Sequence, residues 1–208
     1  VDTTAETPDS LDDMTIDGNG NIIDGAKGSR IFIITAKNVK LKNIIFLNGH
    51  SHENNYINPF NNNGGAIRNN SKSRLTIENC RFVDNFSEDN GGAIDNRNGA
   101  IKISDSSLEN NNAVYNGGAI KNMEKGKIEI INTLFDKNSS KRGGGAIDNN
   151  GEMTIAESEL AHNDARYGGA IEYTTPVYYG HIQDNLNIYN STISHNRALN
   201  VGGAFNVG

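Results

Sequence analysis

The 208-residue chain has no tryptophan and one cysteine, and its 19 basic residues are outnumbered by 25 acidic ones. A lone Cys80 excludes a disulfide framework and a cysteine-rich zinc site. A net charge of −6 argues against nucleic acid and against an anionic membrane surface as partners. No apolar run approaches the roughly 20 residues that a membrane-spanning helix needs, so no membrane insertion by this fragment is expected. Hydrophobic residues make up only 35% of the chain, yet they recur at fixed places, which a disordered composition does not do. Seven Tyr and seven Phe remain for stacking. The chain opens on Val1, with neither an initiator Met nor a signal peptide, and reads as a mature fragment or an excised piece.

What is present is a repeat. Gly-Gly-Ala-hydrophobe tetrads start at Gly64, Gly91, Gly117, Gly144, Gly168 and Gly202, at spacings of 27, 26, 27, 24 and 34 residues. A period of this size means a stack of similar supersecondary units. A second block recurs with it, as in Leu75-Thr-Ile77-Glu-Asn79-Cys80-Arg-Phe82 and Ile128-Glu-Ile130-Ile-Asn132-Thr133-Leu-Phe135. Its first three positions alternate with the period of a strand, and the linking Gly, Asn, Asp and Ser favour turns over helix. Each unit therefore holds three short strands: the Gly-Gly-Ala-Ile strand, the hydrophobe-x-hydrophobe strand, and one around the Phe or Leu. About six coils of roughly 26 residues, each strand pairing with its counterpart one coil on, make an all-β, parallel β-helix solenoid. Its expected hand is right-handed. A leucine-rich repeat has a similar period, but it needs a helix or 3₁₀ turn that these linkers do not offer.

In such a stack, columns of the repeat become ladders with rungs about 4.8 Å apart. Phe46, Phe82, Leu108, Phe135, Leu160 and Ile193 form an internal apolar column. Asn85, Asn111, Asn138, Asn163 and Asn196 follow it by three residues, and Asn69, Asn96, Asn122 and Asn149 follow the Ile of the glycine strand by two. Both Asn columns are expected at corners, in left-handed backbone, bonding to the coils above and below. The glycine pairs allow a tight corner or a close backbone approach.

The period divides the chain. Residues 1–13 read as an acidic flexible tail or linker, residues 14–30 as an N-terminal cap with the first strands, and residues 31–208 as the β-helix, truncated at its C-terminal coil. After Gly202-Gly-Ala-Phe205 only three residues remain, so strands of the preceding coil are left open and end-to-end self-association is expected. Two insertions break the period, one between Asn48 and Gly64 and one between Ile171 and Leu186. They carry Tyr56 and Phe60, and Tyr173, Tyr178 and Tyr179, aromatics that the repeat does not require. Insertions in solenoids become loops, often at the binding surface, and aromatic faces beside polar groups suit a glycan or a protein partner.

The run from Phe82-Val-Asp-Asn85 to Gly91-Gly-Ala-Ile94 resembles the repeats of chlamydial polymorphic outer membrane proteins. The opening Ile16-Asp-Gly-Asn-Gly-Asn-Ile-Ile-Asp-Gly25, followed by Asn38-Val-Lys-Leu-Lys-Asn43-Ile-Ile-Phe46, is similar to adhesin-like surface proteins of methanogenic archaea. The likeness covers residues 14–208. It implies an extracellular or cell-surface domain that adheres to or binds a glycan or a cell-surface protein, with no catalytic residues and no cofactor to carry over.

Other chemistry has specific candidates. The column after the glycine strand reads Arg68, Asp95, Lys121, Asp148 and Glu172. It is either a surface charge ladder of alternating sign or the face of a polysaccharide lyase or glycoside hydrolase, activities found on β-helices of related fold. Asp95 and Asp148, two coils apart, have backbones about 9.6 Å apart by strand spacing, close to the roughly 6.5–9.5 Å between the carboxylates of inverting glycosidases. A structural stalk is the third reading. Cys80 shares a column with Ser106, Thr133, Ser158 and Ser191, which calls for a small structural side chain. His50 and His52 share a side in an extended chain, but no helical metal motif accompanies them and no metal site is assigned. The Asp-rich segment from Asp12 to Asp24 lacks the spacing of a calcium loop. Asn-x-Ser/Thr occurs at Asn69, Asn85, Asn138 and Asn190.

Overall fold

A computed structural model describes residues 13–52, 62–70, 72–174 and 186–208. Within them the chain is an all-β solenoid of stacked parallel strands. The coil from Gly91 to Asn116 shows the unit: strands Ile94–Asn96, Ala100–Ser104, Ser107–Glu109 and Asn112–Ala113. Each pairs in parallel with its counterparts one coil before and one coil after. The four segments contribute to three sheets. The five-residue and three-residue segments count as one sheet because the first-coil strand Asn38–Leu47 runs unbroken past both, pairing with Arg74–Glu78 and with Arg81–Val83.

The bends follow from backbone preferences. Asn43, Asn79, Asp105, Asn132, Glu157 and Asn190, between the five- and three-residue segments, all have positive φ. So do Asn48, Asp84, Asn110, Lys137, His162 and His195, immediately before the first Asn column. Asn, Asp and Gly tolerate this left-handed region cheaply, whereas a Lys or Glu there costs about 1 kcal/mol or more. The expectation that the ladder asparagines themselves take the left-handed turn is therefore corrected. In the first column the residue before each rung turns the chain, which frees the ladder Asn to aim its amide into the coil. The second column takes no such turn and ends strands Ile67–Asn69, Ile94–Asn96, Ile120–Asn122 and Ile147–Asn149. In the glycine pairs the two members differ. Gly91 has φ +64, while a Cβ on Gly92 would run into the carbonyl oxygens of Gly118 and Asn112.

The interior is a set of columns. Phe46, Phe82, Leu108, Phe135 and Leu160 are all fully buried, and the Phe46 and Phe82 rings stack with centroids 4.6 Å apart. The alanines and isoleucines of the glycine strands fill another wall, from Ala66 and Ile67 to Ala170 and Ile171. Strand Asp13–Asp24 lies against Asn38–Leu47 in parallel register, with a shift between Asp17 and Asn21. From Asp13 on, the Asp-rich segment is thus a strand and turn with the carboxylates of Asp13, Asp17 and Asp24 in use. Asp17 accepts from Asn43 Nδ2 at 2.9 Å and meets Lys42 Nζ at 3.0 Å, and the Asn43, Asn19 and Lys42 contacts hold its pKa down to about 2. At the other end Leu186–Tyr189, Thr192–Ser194 and Arg197–Val201 are the outermost strands of their sheets.

Two Asn ladders tie the coils together, as the sequence columns predict. In the first, Asn85, Asn111, Asn138 and Asn163 each donate Nδ2 to the Oδ1 of the next, at 2.9–3.0 Å, and also to a backbone carbonyl inside the coil. In the second, Asn69, Asn96 and Asn122 donate Nδ2 to the Oδ1 of the next at 2.9, 2.8 and 2.6 Å. A third ladder is external. Asn90 donates both N and Nδ2 to Asn63 Oδ1, at 3.1 and 2.9 Å, and Asn116 does the same to Asn90 Oδ1, at 3.2 and 2.9 Å. Its sequence signal is an Asn directly before the Gly pair, at Asn63, Asn90 and Asn116.

Candidate functional site

The outer face of the glycine-strand sheet carries one column in continuous register: Arg68, Asp95, Lys121, Asp148, Glu172 and Asn206. Side chains alternate along each strand, so Ile and Asn of Ile94-Asp95-Asn96 face inward and Asp95 faces out. The column is not an exposed ladder. Asp95 is 0%, Lys121 7% and Asp148 4% exposed. This corrects the expectation of a surface charge ladder, and the reason is lateral. Residues just past the strand ends supply partners to it, Arg97 to Asp95 and Asn150 to Lys121.

The charges are paired locally. Asp95 Oδ2 meets Arg97 Nε at 2.8 Å, a partner from its own strand end, and Arg68 and Arg30 act on it from neighbouring coils. Burial pushes the Asp95 carboxyl up against the opposing pull of these cations. It also lowers Arg30 to about 10, helped by the like charges of Arg68 and Arg97. Lys121 Nζ lies 2.9 Å from Asp148 Oδ2 and donates to Asn150 Oδ1. Glu172 Oε1 accepts from Asn206 Nδ2 at 3.0 Å. Burial raises both Asp148 and Glu172. The sequence named Arg68, Asp95, Lys121, Asp148 and Glu172, but not Arg30, Arg97 or Asn150. Arg97 and Asn150 each directly follow a rung of the second Asn column, a place that from Arg97 on reads Arg, Met, Asn and Thr in successive coils, so residue type there carries no repeating signal.

One border of this strand column is the segment before the Gly pair, with Asn63, Asp89, Asn90, Asn116 and Gly143. The other is the segment after the strand, with Arg97, Asn150 and Thr174. The chain re-enters the described residues at Asn62 on the first border and leaves them after Thr174 on the second. Both insertions therefore join the fold beside the same sheet, several coils apart. Tyr56, Phe60, Tyr178 and Tyr179 lie outside the described residues. Tyr173 takes the next place in the second Asn column, in register with Asn149, and is buried.

The remaining candidates resolve into structural roles. Cys80 is buried, its Sγ donates to the carbonyls of Glu78 at 3.3 Å and Leu41 at 3.6 Å, and burial pushes its thiol up. His50 and His52 do come together, with rings 5.2 Å apart, and Phe86 stands 4.8 Å from His50. Burial, then His52, lowers the His50 pKa. Among the described residues no group of three His, Cys, Asp or Glu is placed to hold a metal ion. Of the four Asn-x-Ser/Thr sites, Asn69, Asn85 and Asn138 are buried with their amides in ladders, and Asn190 is exposed.

A single coil now has every mark of the repeat in place. It runs from the bend at Asn132 through the buried Phe135 and the ladder Asn138 to the glycine strand Ile147–Asn149. Residues 132–150 match the Chlamydia polymorphic membrane protein repeat. The polymorphic membrane protein repeat is thus what this coil is similar to, through its Phe-x-x-Asn and Gly-Gly-Ala-Ile elements. No curated protein and no solved structure matches the chain.

Proposed function

We propose that this is an extracellular, cell-surface, adhesin-like β-helix domain that binds a glycan or a protein on another cell or surface, without catalysis. The observation that carries the reading is the attachment of both inserted segments beside one sheet, with Tyr56 and Phe60 on one and Tyr178 and Tyr179 on the other. A rigid stack with insertions bordering one of its sheets suits recognition, since loops on a fixed scaffold carry binding. The likeness to a polymorphic membrane protein repeat supports a surface location. The resemblance of Ile16–Gly25 and Asn38–Phe46 to archaeal adhesin-like surface proteins points the same way. The non-catalytic reading is supported by Asp95 and Asp148, which are buried and ion-paired instead of facing an open groove.

The test replaces Tyr178 and Tyr179 together and measures attachment in a glycan-array and a cell-adhesion assay. The expected result is loss of binding with an unchanged unfolding midpoint. Retained binding would move the site off the second insertion. Turnover of a polysaccharide that depends on Asp95 and Asp148 would replace the reading with an enzymatic one.

A further inference from the structure

Asp148 and Glu172 are register partners on neighbouring strands, on the outer face of the glycine-strand sheet. Each uses one oxygen on a neighbour lying away from the other. Asp148 Oδ2 meets Lys121 Nζ of the preceding coil at 2.9 Å, and Glu172 Oε1 accepts from Asn206 Nδ2 of the following coil at 3.0 Å. The remaining oxygens, Asp148 Oδ1 and Glu172 Oε2, are both buried and neither has a hydrogen-bond partner among the described residues. Among the described residues, the charged groups acting on Asp148 are Lys121 and Arg142, and those acting on Glu172 are Asp148 and Lys121. The Glu172 side chain also packs beside Gly143, where an added Cβ would stand 3.0 Å from Glu172 Cγ, and that neighbour brings no charge.

Two ionised carboxylates are poorly served here. Each orphaned oxygen has given up water without a donor in return, and like charges on strands about 4.8 Å apart repel. One proton repairs both defects, because a protonated carboxyl becomes a donor. We propose that Asp148 and Glu172 share a single proton, with Glu172 Oε2–H donating to Asp148 Oδ1, and that this bond makes the stacking of their two coils pH-dependent. The Asp148 charge then faces Lys121 and Arg142, with Glu172 neutral.

Burial raises both carboxyls, and the Asp148 charge adds to the rise at Glu172, which is the direction the shared proton requires. The folded chain keeps a proton that the unfolded chain releases above the ordinary glutamate value of 4.5. The stabilisation is therefore complete below that value and is lost as pH rises through the higher folded value. On ionisation the proton passes to solvent, and the two carboxylates press apart strands Ile147–Asn149 and Ile171–Tyr173. The second of these leads directly into residues 175–185.

The experiment compares thermal unfolding of the whole chain with that of Glu172→Gln across pH. The Gln amide donates to Asp148 Oδ1 at every pH. The wild-type midpoint should fall relative to Glu172→Gln by about 2–4 °C as pH rises through the folded value. A constant difference between the two overturns the proposal. So does a wild-type midpoint that rises on adding calcium or magnesium while the Gln variant's does not, which would place a cation between the carboxylates. Glutamate-selective ¹³C NMR of the wild type gives a second reading should the variant not fold. One glutamate carboxyl titrating well above 4.5 supports the shared proton, and ordinary titration of every glutamate overturns it.

Discussion

Asn111 Oδ1 accepts two hydrogen bonds from Asn85, one from its backbone N–H at 3.1 Å and one from its side-chain amide at 2.9 Å. Asn111 Nδ2 in turn donates to Phe82 O at 3.0 Å and to Asn138 Oδ1 at 2.9 Å. Every hydrogen-bonding position of this fully buried amide is filled. Asn111→Ala strands donors on Asn85 and the acceptor on Phe82, and is expected to cost about 1–3 kcal/mol in denaturant unfolding. Asn110→Gly, one residue earlier at a left-handed position, should change stability by only a few tenths of a kcal/mol. Equal effects at the two positions would show that the ladder contributes no more than an exposed turn.

Cys80 should behave as a serine-like rung. The equivalent Ser106 uses its hydroxyl to accept from Cys80 N at 3.1 Å and to donate to Ser104 O at 2.7 Å. Cys80→Ser can donate to the same carbonyls as the thiol, so its unfolding midpoint should stay close to wild type. The native thiol, buried and with its pKa raised, should react with a thiol reagent only after unfolding. Rapid labelling of the native protein would contradict this placement.

Lys121 and Asp148 form a buried pair at 2.9 Å. Lys121→Met leaves an uncompensated carboxylate, and a loss of about 3–5 kcal/mol is expected. The double change Lys121→Met with Asp148→Leu removes both charges and should recover most of that loss. A chemical-denaturation cycle over the four proteins gives the coupling. Additive effects would mean that the two groups do not interact.

The outer strand Arg197–Val201 presents Leu199 at 64% and Val201 at 54% exposure along an edge with no further strand among the described residues. Such edges pair with other chains. The 208-residue chain is expected to associate with increasing concentration in sedimentation velocity, and Leu199→Lys with Val201→Lys should suppress it. A strict monomer at high concentration would remove the edge from consideration.

Much of the fold was legible because each coil repeats its neighbour. Phe82 and Phe135 could be placed in one interior column from their spacing alone, and Asn111 between Asn85 and Asn138 likewise. The third ladder, Asn63 to Asn116, carried the same kind of signal beside the more conspicuous glycines. The turn geometry was read one residue out of place. Spacing locates a corner, but which residue takes positive φ depends on which side chain must point inward, and that fell to Asp84 and Asn110 in place of Asn85 and Asn111.

By itself the sequence determined the stack: its period, the strand register, the apolar columns and the two inward Asn ladders. All of these are contacts between equivalent positions one coil apart, so a repeating sequence states them directly. Only the tertiary structure decided that the charged column is buried, that Arg97 pairs with Asp95, and that both insertions join the fold beside one sheet. These are contacts across the width of a coil, between positions that do not repeat together. They depend on which residues stand just past each strand end, and those residue types do not repeat.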